Sequence, residues 1–375
     1  MLYYRSDFGS GLTNQLFSII SSIIIAHKTG EKVVVRDCFI DEFDKYVYTP
    51  ISSVFNLNKI NDFLKKEYDV IIVDKYNIQF EIISINYKSN THNINITNQL
   101  TSKYFINNTL NITNTNLMNE CCYLSNINSE SPVIFNYKKN GYSPFNVIFN
   151  YKINGYLVEE IYNKYNNKSI NIDLNNSLYP SIFKWINDLD QNMFENILLN
   201  IHYHDDYINK SNEIIEKFYK ELVVTDDIFP KWNVIHLRLE EDALNHWSKL
   251  NNMNKFEFKT YIENKYINII QKYISKTDNN IILSYSLENS VIDFMKNNEY
   301  NIHFNKIKYF EYREKNAIID LLTSKICNNI FIGAFMFNEL TGSTFSYYIG
   351  KIIDSSCKKI SINLDKITNT EICYF

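Results

Sequence analysis

Glycine and proline are scarce in this 375-residue chain, which contains only eight and five of them. The one loop with two closely spaced glycines, Gly9-Ser-Gly-Leu-Thr-Asn-Gln15, has neither the lysine of a P-loop nor the three-glycine spacing of a dinucleotide-binding fingerprint. As a generic phosphate loop it is a weak match. Its place between a short apolar run and a helix would nevertheless turn backbone amides towards a ligand.

Cysteine pairs with metal-binding spacing are also missing. The six cysteines are scattered and none forms a Cys-x-x-Cys pair, so the sequence indicates neither a zinc site nor a disulfide framework. The segment His202-Tyr-His-Asp-Asp206 has a His-x-His spacing that could chelate a metal, but nothing else in the sequence supports such a site. We expect no metal and no other cofactor.

Blocks of basic charge and long apolar runs are absent as well. The formal net charge is -4 and no run of lysine and arginine could follow a polyphosphate backbone, so nucleic acid is not an expected partner. No apolar run approaches the roughly 18 to 20 residues of a spanning helix, and the charged loop that follows Tyr4 is unlike a signal peptide. We expect a cytoplasmic protein without a membrane span. Its excess of asparagine, isoleucine, lysine and tyrosine is typical of an A+T-rich genome, such as that of a large virus.

The length of the chain allows two domains of ordinary size. Pro230 and Trp232 mark a break, and we place one domain over residues 1–228 and the other over residues 229–375. The second half alternates strands with helices, which implies a parallel sheet covered on both faces. The expected strands are 234–239, 281–285, 302–304, 330–333 and 359–363, and the expected helices are 256–273, 290–297, 314–326 and 346–353, with a loop after the first strand.

The first half begins with a compact β-α-β pattern. A short apolar run at Leu2 to Tyr4 precedes the glycine loop, apolar residues then recur at helical spacing from Asn14, and Val33 to Val35 follow as a second strand. A further buried strand is expected at Tyr68 to Asp74. These elements predict that the first domain is also an α/β structure.

A short internal repeat interrupts this first half. Residues 133–142 recur almost unchanged as residues 147–156, and each copy reads as a strand closed by an Asn-Gly turn. Such a pair predicts a hairpin insertion, which we place around residues 90–160. Two copies are too few for a solenoid.

One stretch of the second half, Val234 to Asp242, joins a β-branched run to a cluster of charges. Open α/β sheets bind ligands at the C-terminal ends of their strands, so His236 and Arg238 are candidate site residues. Arginine offers a planar fork of donors that suits a phosphate or diphosphate. The alternative is a structural ion pair between Arg238 and Glu240 or Asp242, and the stretch by itself leaves both open.

A second candidate segment is Thr341-Gly-Ser-Thr-Phe-Ser346, which follows a buried strand and opens an apolar helix. Hydroxyl groups and free amides at a helix start can form an anion site, although plain N-capping by one hydroxyl would also explain them. Asp320 lies among aliphatic residues of a predicted helix. It could accept hydrogen bonds from a base with amino donors, but the local pattern favours a carboxylate that faces water or pairs with Lys325.

Three segments together resemble the motifs of the GDP-fucose-dependent fucosyltransferase superfamily. Gly9-Ser-Gly-Leu-Thr-Asn-Gln-Leu-Phe17 is similar to its Gly-Gly-Leu-Gly-Asn-Gln-Leu/Met-Phe opening. Val234-Ile-His-Leu-Arg-Leu-Glu-Glu-Asp242 is similar to its His-x-Arg segment, in the His-Leu-Arg-x-Glu-x-Asp form of the O-fucosyltransferase-like branch. The residues from Ala317 through Phe331-Ile-Gly333 to Gly342-Ser-Thr-Phe-Ser346 resemble the third motif. The middle of the chain, residues 51–226, matches no motif of that superfamily.

The resemblance implies an inverting glycosyltransferase of GT-B type, with two Rossmann-like domains facing across a cleft. Fucose would pass from a GDP-fucose donor to a glycan or protein hydroxyl. The first domain would serve the acceptor side, with Gly11 and the candidate catalytic residue Asn14 near the sugar and acceptor. Thr13 replaces the usual glycine of that loop, which would narrow its approach to ligand.

In the second domain the resemblance implies a GDP-sugar site. His236 and Arg238 would hold the nucleotide and its β-phosphate, and Asp320 would hold the guanine. Leu239 stands where an Arg-Arg form has its second arginine, which counts against an α-1,2-type acceptor. The residues of the third motif that would contact the phosphates are Ser343, Thr344 and Phe345.

The chemistry of sugar transfer suits these residue types. Loss of GDP develops negative charge on the leaving phosphate, which a fixed arginine such as Arg238 can stabilise without a metal. Asp7, Glu240 and Asp242 are the candidates for the base that removes the acceptor proton, and Glu240 is the one we include among the catalytic residues. Two alternatives remain open, a GT-B transferase that uses another nucleotide sugar and a catalytically inactive glycan-binding relative.

Overall fold

The protein is described by a computed structural model that divides into two compact units, Met1–His204 and Asp205–Phe375. This division precedes the helix Asp205–Glu221, whereas the sequence places the boundary after that helix. The residues described are 2–5, 11–29, 33–37, 39–41, 47–74, 81–87, 93–100, 105–111, 121–126, 133–138, 170–173, 191–222, 229–305, 313–336, 341–364 and 372–374.

The described part of the first unit contains a six-stranded sheet and two smaller antiparallel sheets. Its strands are β1 (Leu2–Arg5), β2 (Val33–Asp37), β3 (Phe39–Asp41), β4 (Val47–Thr49), β5 (Ile72–Asp74), β6 (Glu81–Tyr87), β7 (Asn93–Leu100), β8 (Phe105–Asn111), β9 (Cys121–Asn126), β10 (Val133–Lys138) and β11 (Ile170–Asp173). The six-stranded sheet has the order β5-β2-β1-β11-β10-β9, and only β9 runs antiparallel to its neighbour. The smaller sheets are the pair β3-β4 and the meander β6-β7-β8.

The helices of the first unit include the long helix that follows β1. They are α1 (Leu12–Thr29), α2 (Ile51–Val54), α3 (Leu57–Tyr68) and α4 (Gln191–Leu199). The predicted β-α-β start is confirmed, since β1 and β2 are parallel neighbours joined through α1. Helical spacing buries Leu16, Phe17 and Ile20 completely, and the ring of Phe17 meets Phe194 of α4 edge-on with centroids 5.1 Å apart. Because α1 follows β1, it begins at the C-terminal edge of the sheet.

The strand expected at Tyr68 to Asp74 is shorter than predicted. Helix α3 continues to Tyr68, and Asp69 ends it in the left-handed conformation with φ of 54°. The N–H of Asp69 donates to the carbonyl oxygen of Lys65, and its carboxylate forms an ion pair with the Lys65 ammonium. The helix end and its cap occupy the first three residues of the expected strand, since the N–H of Val70 also donates to Leu64, and β5 begins only at Ile72.

The first copy of the repeat is a strand, as expected, but its described partners lie outside the repeat. It forms β10, which pairs in parallel with β11 and antiparallel with β9 in the main sheet. The second copy, residues 147–156, and the Asn-Gly turn after β10 lie outside the described residues. The hairpin insertion therefore stays a prediction.

The second unit is an α/β structure with a mainly parallel sheet, as the strand and helix alternation predicts. Its main sheet has the order β14-β13-β12-β15-β18-β19, built from β12 (Trp232–Leu237), β13 (Asn279–Ser284), β14 (Ile302–His303), β15 (Ile330–Gly333), β18 (Lys358–Ser361) and β19 (Ile372–Tyr374), with the small pair β16 (Phe335–Met336) and β17 (Thr341–Gly342) beside it. All neighbours in the main sheet are parallel except the edge strand β19. The helices are α5 (Asp205–Glu221), α6 (Glu241–Leu250), α7 (Lys255–Tyr273), α8 (Ser290–Asn297), α9 (Arg313–Thr323) and α10 (Thr344–Ile352).

Helix α5 belongs to the second unit because its apolar face packs on that unit's sheet. Phe218 stacks on Trp232 of β12 with centroids 6.0 Å apart and lies 5.1 Å from the ring of His303 in β14. Tyr219 meets Trp232 edge-on at 5.6 Å.

None of the helices in the described ranges combines the length and the apolar character that crossing a membrane requires.

The prediction of a loop after the first strand of this unit is wrong, because helix α6 lies there. Glu240 occupies its N-cap position, and the acidic side chains of Glu241 and Asp242 in its first turn complement the helix dipole. Leu244 and Trp247 bury on the core side one turn apart. The charges after β12 are therefore held on a helix start, and not on an open loop.

Candidate functional site

The candidate residues of the second unit lie where the strand order of its sheet reverses. From β12 the chain adds β13 and β14 on one side, then returns to add β15 and β18 on the other side. The ends of β12 and β15 therefore flank a topological switch point, which is where open α/β sheets bind ligands. His236 and Arg238 lie at the end of β12, and the segment 341–346 follows β15.

His236 and Ser346 join the two segments by a hydrogen bond. The ring Nδ1 of His236 lies 2.6 Å from Ser346 Oγ, across 110 residues of chain. Ser346 Oγ also accepts the backbone N–H of Ala334, just after β15, at 3.0 Å. Phe345 meets the imidazole edge-on, with centroids 5.2 Å apart. One buried serine thus ties together the ends of β12 and β15 and the start of α10.

His236 is a neutral hydrogen-bonding residue in this position. Burial lowers its pKa to about 3, and the positive charge of Arg238 acts in the same direction. If the Ser346 hydroxyl donates to Nδ1, the other ring nitrogen, Nε2, carries the proton and is a donor. With so low a pKa the imidazole is a poor general base at neutral pH.

Tyr266 of α7 fixes the backbone where β12 ends. Its hydroxyl donates to the carbonyl oxygen of His236 at 2.8 Å and accepts the N–H of Arg238 at 3.3 Å. The side chain is completely buried, and burial raises its pKa, so the phenol keeps its proton. These two bonds pair backbone groups beyond Ile235, the last residue of β12 that is in register with β15.

Arg238 is held between two carboxylates. Its Nη1 lies 2.8 Å from Glu240 Oε2, and its Nη2 donates to Asp242 Oδ2 at 3.0 Å. The contact with Glu240 is a close ion pair, and it contributes to the raised pKa of Arg238. The ion pairs considered as the alternative for Arg238 are thus present in this state of the protein.

These ion pairs keep Arg238 charged and leave it able to bind an anion. Burial by itself lowers the pKa of Arg238, but Glu240 and Asp242 outweigh that effect and raise it above its usual value. A guanidinium has five N–H donors, and the contacts of Arg238 with Glu240 and Asp242 use one N–H each. About a fifth of the side chain is exposed. Further donors therefore remain for a phosphate.

The segment after β15 is shaped by a glycine turn and a cap. Gly342 has φ of 103°, and a Cβ there would lie 2.5 Å from the carbonyl oxygen of Ala334, so a larger residue does not fit. The side chain of Ser343 then caps α10 by accepting the N–H of Ser346 at 3.4 Å. Thr344 and Phe345 form the first turn of α10, where the amides point out of the helix towards its N-terminal end. Ser343 has the plain capping role, while the turn keeps the features of an anion site.

Asp320 lies on α9 and meets an amide from the end of β14. Asn305 Nδ2 donates to Asp320 Oδ1 at 3.1 Å. Burial raises the pKa of Asp320 to about 6, although the hydrogen bond from Asn305 acts in the opposite direction. No ion pair with Lys325 is found among the described residues. The second carboxylate oxygen of Asp320 is therefore available to an incoming donor.

Gly11 and Asn14 belong to the first unit, at the start of α1. The N–H groups of Asn14 and Gln15 donate to the carbonyl oxygen of Gly11, each at 3.1 Å, so Gly11 immediately precedes the first helical turn. Asn14 is partly buried, and Asp7 lies outside the described residues. The roles of Gly11 and Asn14 near sugar and acceptor stay predictions.

The residues of the His-x-His segment make backbone contacts with residues 54–56. Tyr203 pairs with Phe55 in a β-bridge, the carbonyl oxygen of His202 accepts the N–H of Asn56, and the N–H of His204 donates to Val54. Asp205 begins α5. Within the described ranges no three His, Cys, Asp or Glu side chains gather in a way that could hold a metal ion.

Three supporting residues were not predicted as site residues. Ser346 was noted only as part of a motif, whereas Tyr266 and Asn305 carry no sequence signal, because a tyrosine in a helix and an asparagine after a strand are ordinary residues. Their roles arise from contacts with His236, Arg238 and Asp320 that are distant in sequence.

Loss of the Ser346 hydroxyl should destabilise the second unit. Ser346→Ala leaves the Ala334 N–H and the His236 ring without their buried partner, so we expect the free energy of unfolding to fall by about 1–3 kcal/mol. Urea unfolding measures the change. Ser356→Ala removes an exposed hydroxyl that donates to Asp354 at 2.8 Å and should change stability by less than about 0.5 kcal/mol. Equal effects of both variants would contradict the bridging role of Ser346.

No protein-family model and no curated protein sequence matches this chain. Similar solved structures include POFUT1 in complex with GDP-fucose, with a TM-score of 0.45 and 9% identity over 95% of this chain and 94% of that chain. They also include POFUT1 in complex with GDP, with a TM-score of 0.46 and 9% identity over 95% of each chain, and apo POFUT1, with a TM-score of 0.46 and 9% identity over 93% of this chain and 94% of that chain. At these values the likeness assigns no role to any residue.

Proposed function

We propose that the second unit binds a GDP-sugar and that the protein is an inverting, metal-independent glycosyltransferase that moves fucose to a glycan or protein hydroxyl. One observation carries the proposal. The hydrogen bond of 2.6 Å between His236 and Ser346 joins two segments that resemble separate fucosyltransferase motifs, and it does so at the switch point of a parallel sheet. A GT-B arrangement, with the first unit as the acceptor-binding domain, is part of the same proposal.

Three groups would receive the nucleotide. The first turn of α10 offers backbone amides and the Thr344 hydroxyl to the phosphates, and Arg238 adds a charged fork. His236, with Nε2–H as donor, adds a neutral hydrogen bond that needs no protonation. Asp320 accepts from the guanine, whose ring N–H and amino group are both donors.

The same groups suit the chemistry of transfer. As the bond between sugar and diphosphate breaks, negative charge grows on the β-phosphate while the sugar gains oxocarbenium character. Arg238 and the amides of α10 are already oriented before that charge appears, which makes their stabilisation effective. Inversion then requires attack by the acceptor hydroxyl from the face opposite the leaving GDP.

The acceptor's proton needs a base other than His236. Burial raises the pKa of Asp242, but Arg238, the amide of Ala243 and Arg313 together lower it below its usual value, so this carboxylate is a weak base. Glu240 is the candidate base that we retain; its Oε2 lies 2.8 Å from Arg238 Nη1, a contact that a bound phosphate would replace. Glu240 would then release Arg238 to the phosphate and take the proton.

Donor turnover tests the proposed function. Purified protein is incubated with GDP-fucose, GDP-mannose, UDP-galactose and ADP-glucose, with and without EDTA, and release of nucleotide is measured. We expect release from GDP-fucose above the other donors and no loss with EDTA. Preference for another donor would favour the alternative transferase. Binding of a glycan array without any nucleotide release would favour the inactive relative.

The pH dependence of donor binding tests the assignment of guanine to Asp320. Protonation turns one oxygen of the carboxylate from an acceptor into a donor, so binding should be present above a pH of about 6 and lost as the pH falls through the pKa of Asp320, by about tenfold for each further unit. Calorimetry with GDP-fucose is suitable, because its diphosphate does not titrate in this range. Asp320→Asn keeps the acceptor for Asn305 and should bind weakly with a flat profile. A wild-type profile as flat as that of the variant would remove Asp320 from the site.

A further inference from the structure

Helix α9 begins with an arginine, Arg313, that belongs to none of the three motifs. The helix joins β14 to β15, and both strands run parallel to their neighbours β13 and β12. A helix between parallel strands starts at the C-terminal edge of the sheet and runs back across it. Arg313 is therefore placed at the same edge of the sheet as the end of β12.

Arg313 shares a helix face with Asp320. The side chains of Glu314, Ile318 and Leu321 are buried against the unit, whereas Arg313 and Asp320 are both partly exposed. Seven residues make almost two complete turns, so these two side chains lie on one stripe about 10.5 Å apart along the helix. If the base binds at Asp320, this spacing leaves room for the ribose, and the diphosphate would then reach Arg313.

The guanidinium of Arg313 has donors to offer. Its Nε lies 3.3 Å from Glu314 Oε1, an ion pair without hydrogen-bond alignment, since that oxygen is buried and accepts no hydrogen bond. About a third of the Arg313 side chain is exposed. To the other residues in the described ranges it donates no hydrogen bond. Arg238, by contrast, already donates to Asp242.

The charges around Arg238 do not offer enough positive charge for a diphosphate. Arg238 faces two carboxylates, Glu240 and Asp242, so this group is negative overall before any ligand arrives. Arg313 acts on the same group, because its positive charge contributes to the lowered pKa of Asp242. A site that binds a diphosphate without a metal needs a second cation, and Arg313, at the same edge of the sheet, can supply it.

We propose that Arg313 is a second phosphate-binding arginine, which donates to the diphosphate of the nucleotide sugar together with Arg238. This inference rests on the proposed function. When donor binds, Arg313 exchanges its unaligned contact with Glu314 for aligned, charge-assisted hydrogen bonds, which are the stronger kind. It also offsets the two carboxylates that hold Arg238. Two arginines, and not one, then favour a nucleoside diphosphate over the nucleoside, which has no phosphates.

Calorimetry with GDP and guanosine on intact protein tests this role. Arg313→Ala should weaken GDP binding by about tenfold to hundredfold and leave guanosine binding within about twofold, because only the phosphates lose a partner. Arg313→Lys should recover part of the loss, since it keeps the charge but not the fork. Lys315→Ala removes the same charge two residues along α9, on another face, and should bind GDP like the wild type.

Removal of Arg313 takes one ion-pair partner from the buried Glu314, so the double variant Arg313→Ala with Glu314→Gln guards against misfolding. It should unfold with wild-type stability or better and still show the selective loss of GDP. Unchanged GDP binding in a folded Arg313 variant would overturn the inference while the proposed function stands. An equal loss of GDP and guanosine would show a structural role and would also overturn it. Wild-type protein that binds neither ligand would overturn the proposed function itself.

Discussion

Arg238→Ala should reduce sugar transfer by about 10²- to 10³-fold, the range lost when one oriented donor to a developing oxyanion is removed. The same change should weaken GDP binding, because in the proposed site the guanidinium would contact the phosphates in the ground state as well. Lysine should rescue little, since it cannot reproduce the fork that Arg238 presents. Steady-state kinetics with GDP-fucose and calorimetry with GDP measure the two effects.

The control for Arg238 is Lys255, the first residue of α7, which also pairs with a carboxylate. Lys255 Nζ lies 2.7 Å from Glu241 Oε1 on the exposed side of α6, so Lys255→Ala should leave transfer unchanged and stability within about 1 kcal/mol. Arg238→Ala leaves Glu240 and Asp242 side by side, so its thermal unfolding must be compared as well. A folded Arg238→Ala protein with full transfer would show that the ion pairs of Arg238 are purely structural.

Asn14→Ala should separate acceptor chemistry from nucleotide binding. Asn14 lies at the start of α1 in the first unit, so GDP binding should stay within about twofold of the wild type. Transfer should fall by about 10²-fold, since one oriented polar contact to the reacting groups is lost. A fall in kcat with unchanged GDP affinity is the pattern of an interaction that matters only in the transition state.

Asn58→Ala offers a matched control for Asn14, because it removes an exposed amide from helix α3 of the same unit. It should leave both GDP binding and transfer unchanged. If Asn14→Ala weakened GDP binding as strongly as Arg238→Ala, Asn14 would be a nucleotide ligand. If it changed neither quantity, the first unit's glycine loop would have no part in the reaction.

Much of the second unit could be predicted from the sequence, because its strands are buried and apolar. The helix 290–297 and the strand 330–333 match the prediction, since an asparagine cap and a continuous apolar run are local signals. Helix α6 was not predicted. Its start is a run of acidic residues whose helical role depends on the burial of Leu244 and Trp247, and that burial is a tertiary effect.

Prediction of the candidate site from the sequence was limited in the same way. The placement of His236 and Arg238 at a strand end followed from the apolar run before them. The contacts that orient them come from residues 30 and 110 positions away, Tyr266 and Ser346, and no local pattern reveals such pairs. Likewise, the two carboxylates near Arg238 were visible in the sequence, but only the geometry shows that they hold it together.

Calorimetric titration of the intact protein with GDP, UDP and ADP tests most directly the claim that the second unit is a GDP-sugar site. We predict that GDP binds at least about tenfold more tightly than the other two, because the carboxylate of Asp320 would accept from the guanine N–H and amino groups, which adenine and uracil do not jointly offer. Equal affinity for the three nucleotides, or no binding of GDP, would contradict it.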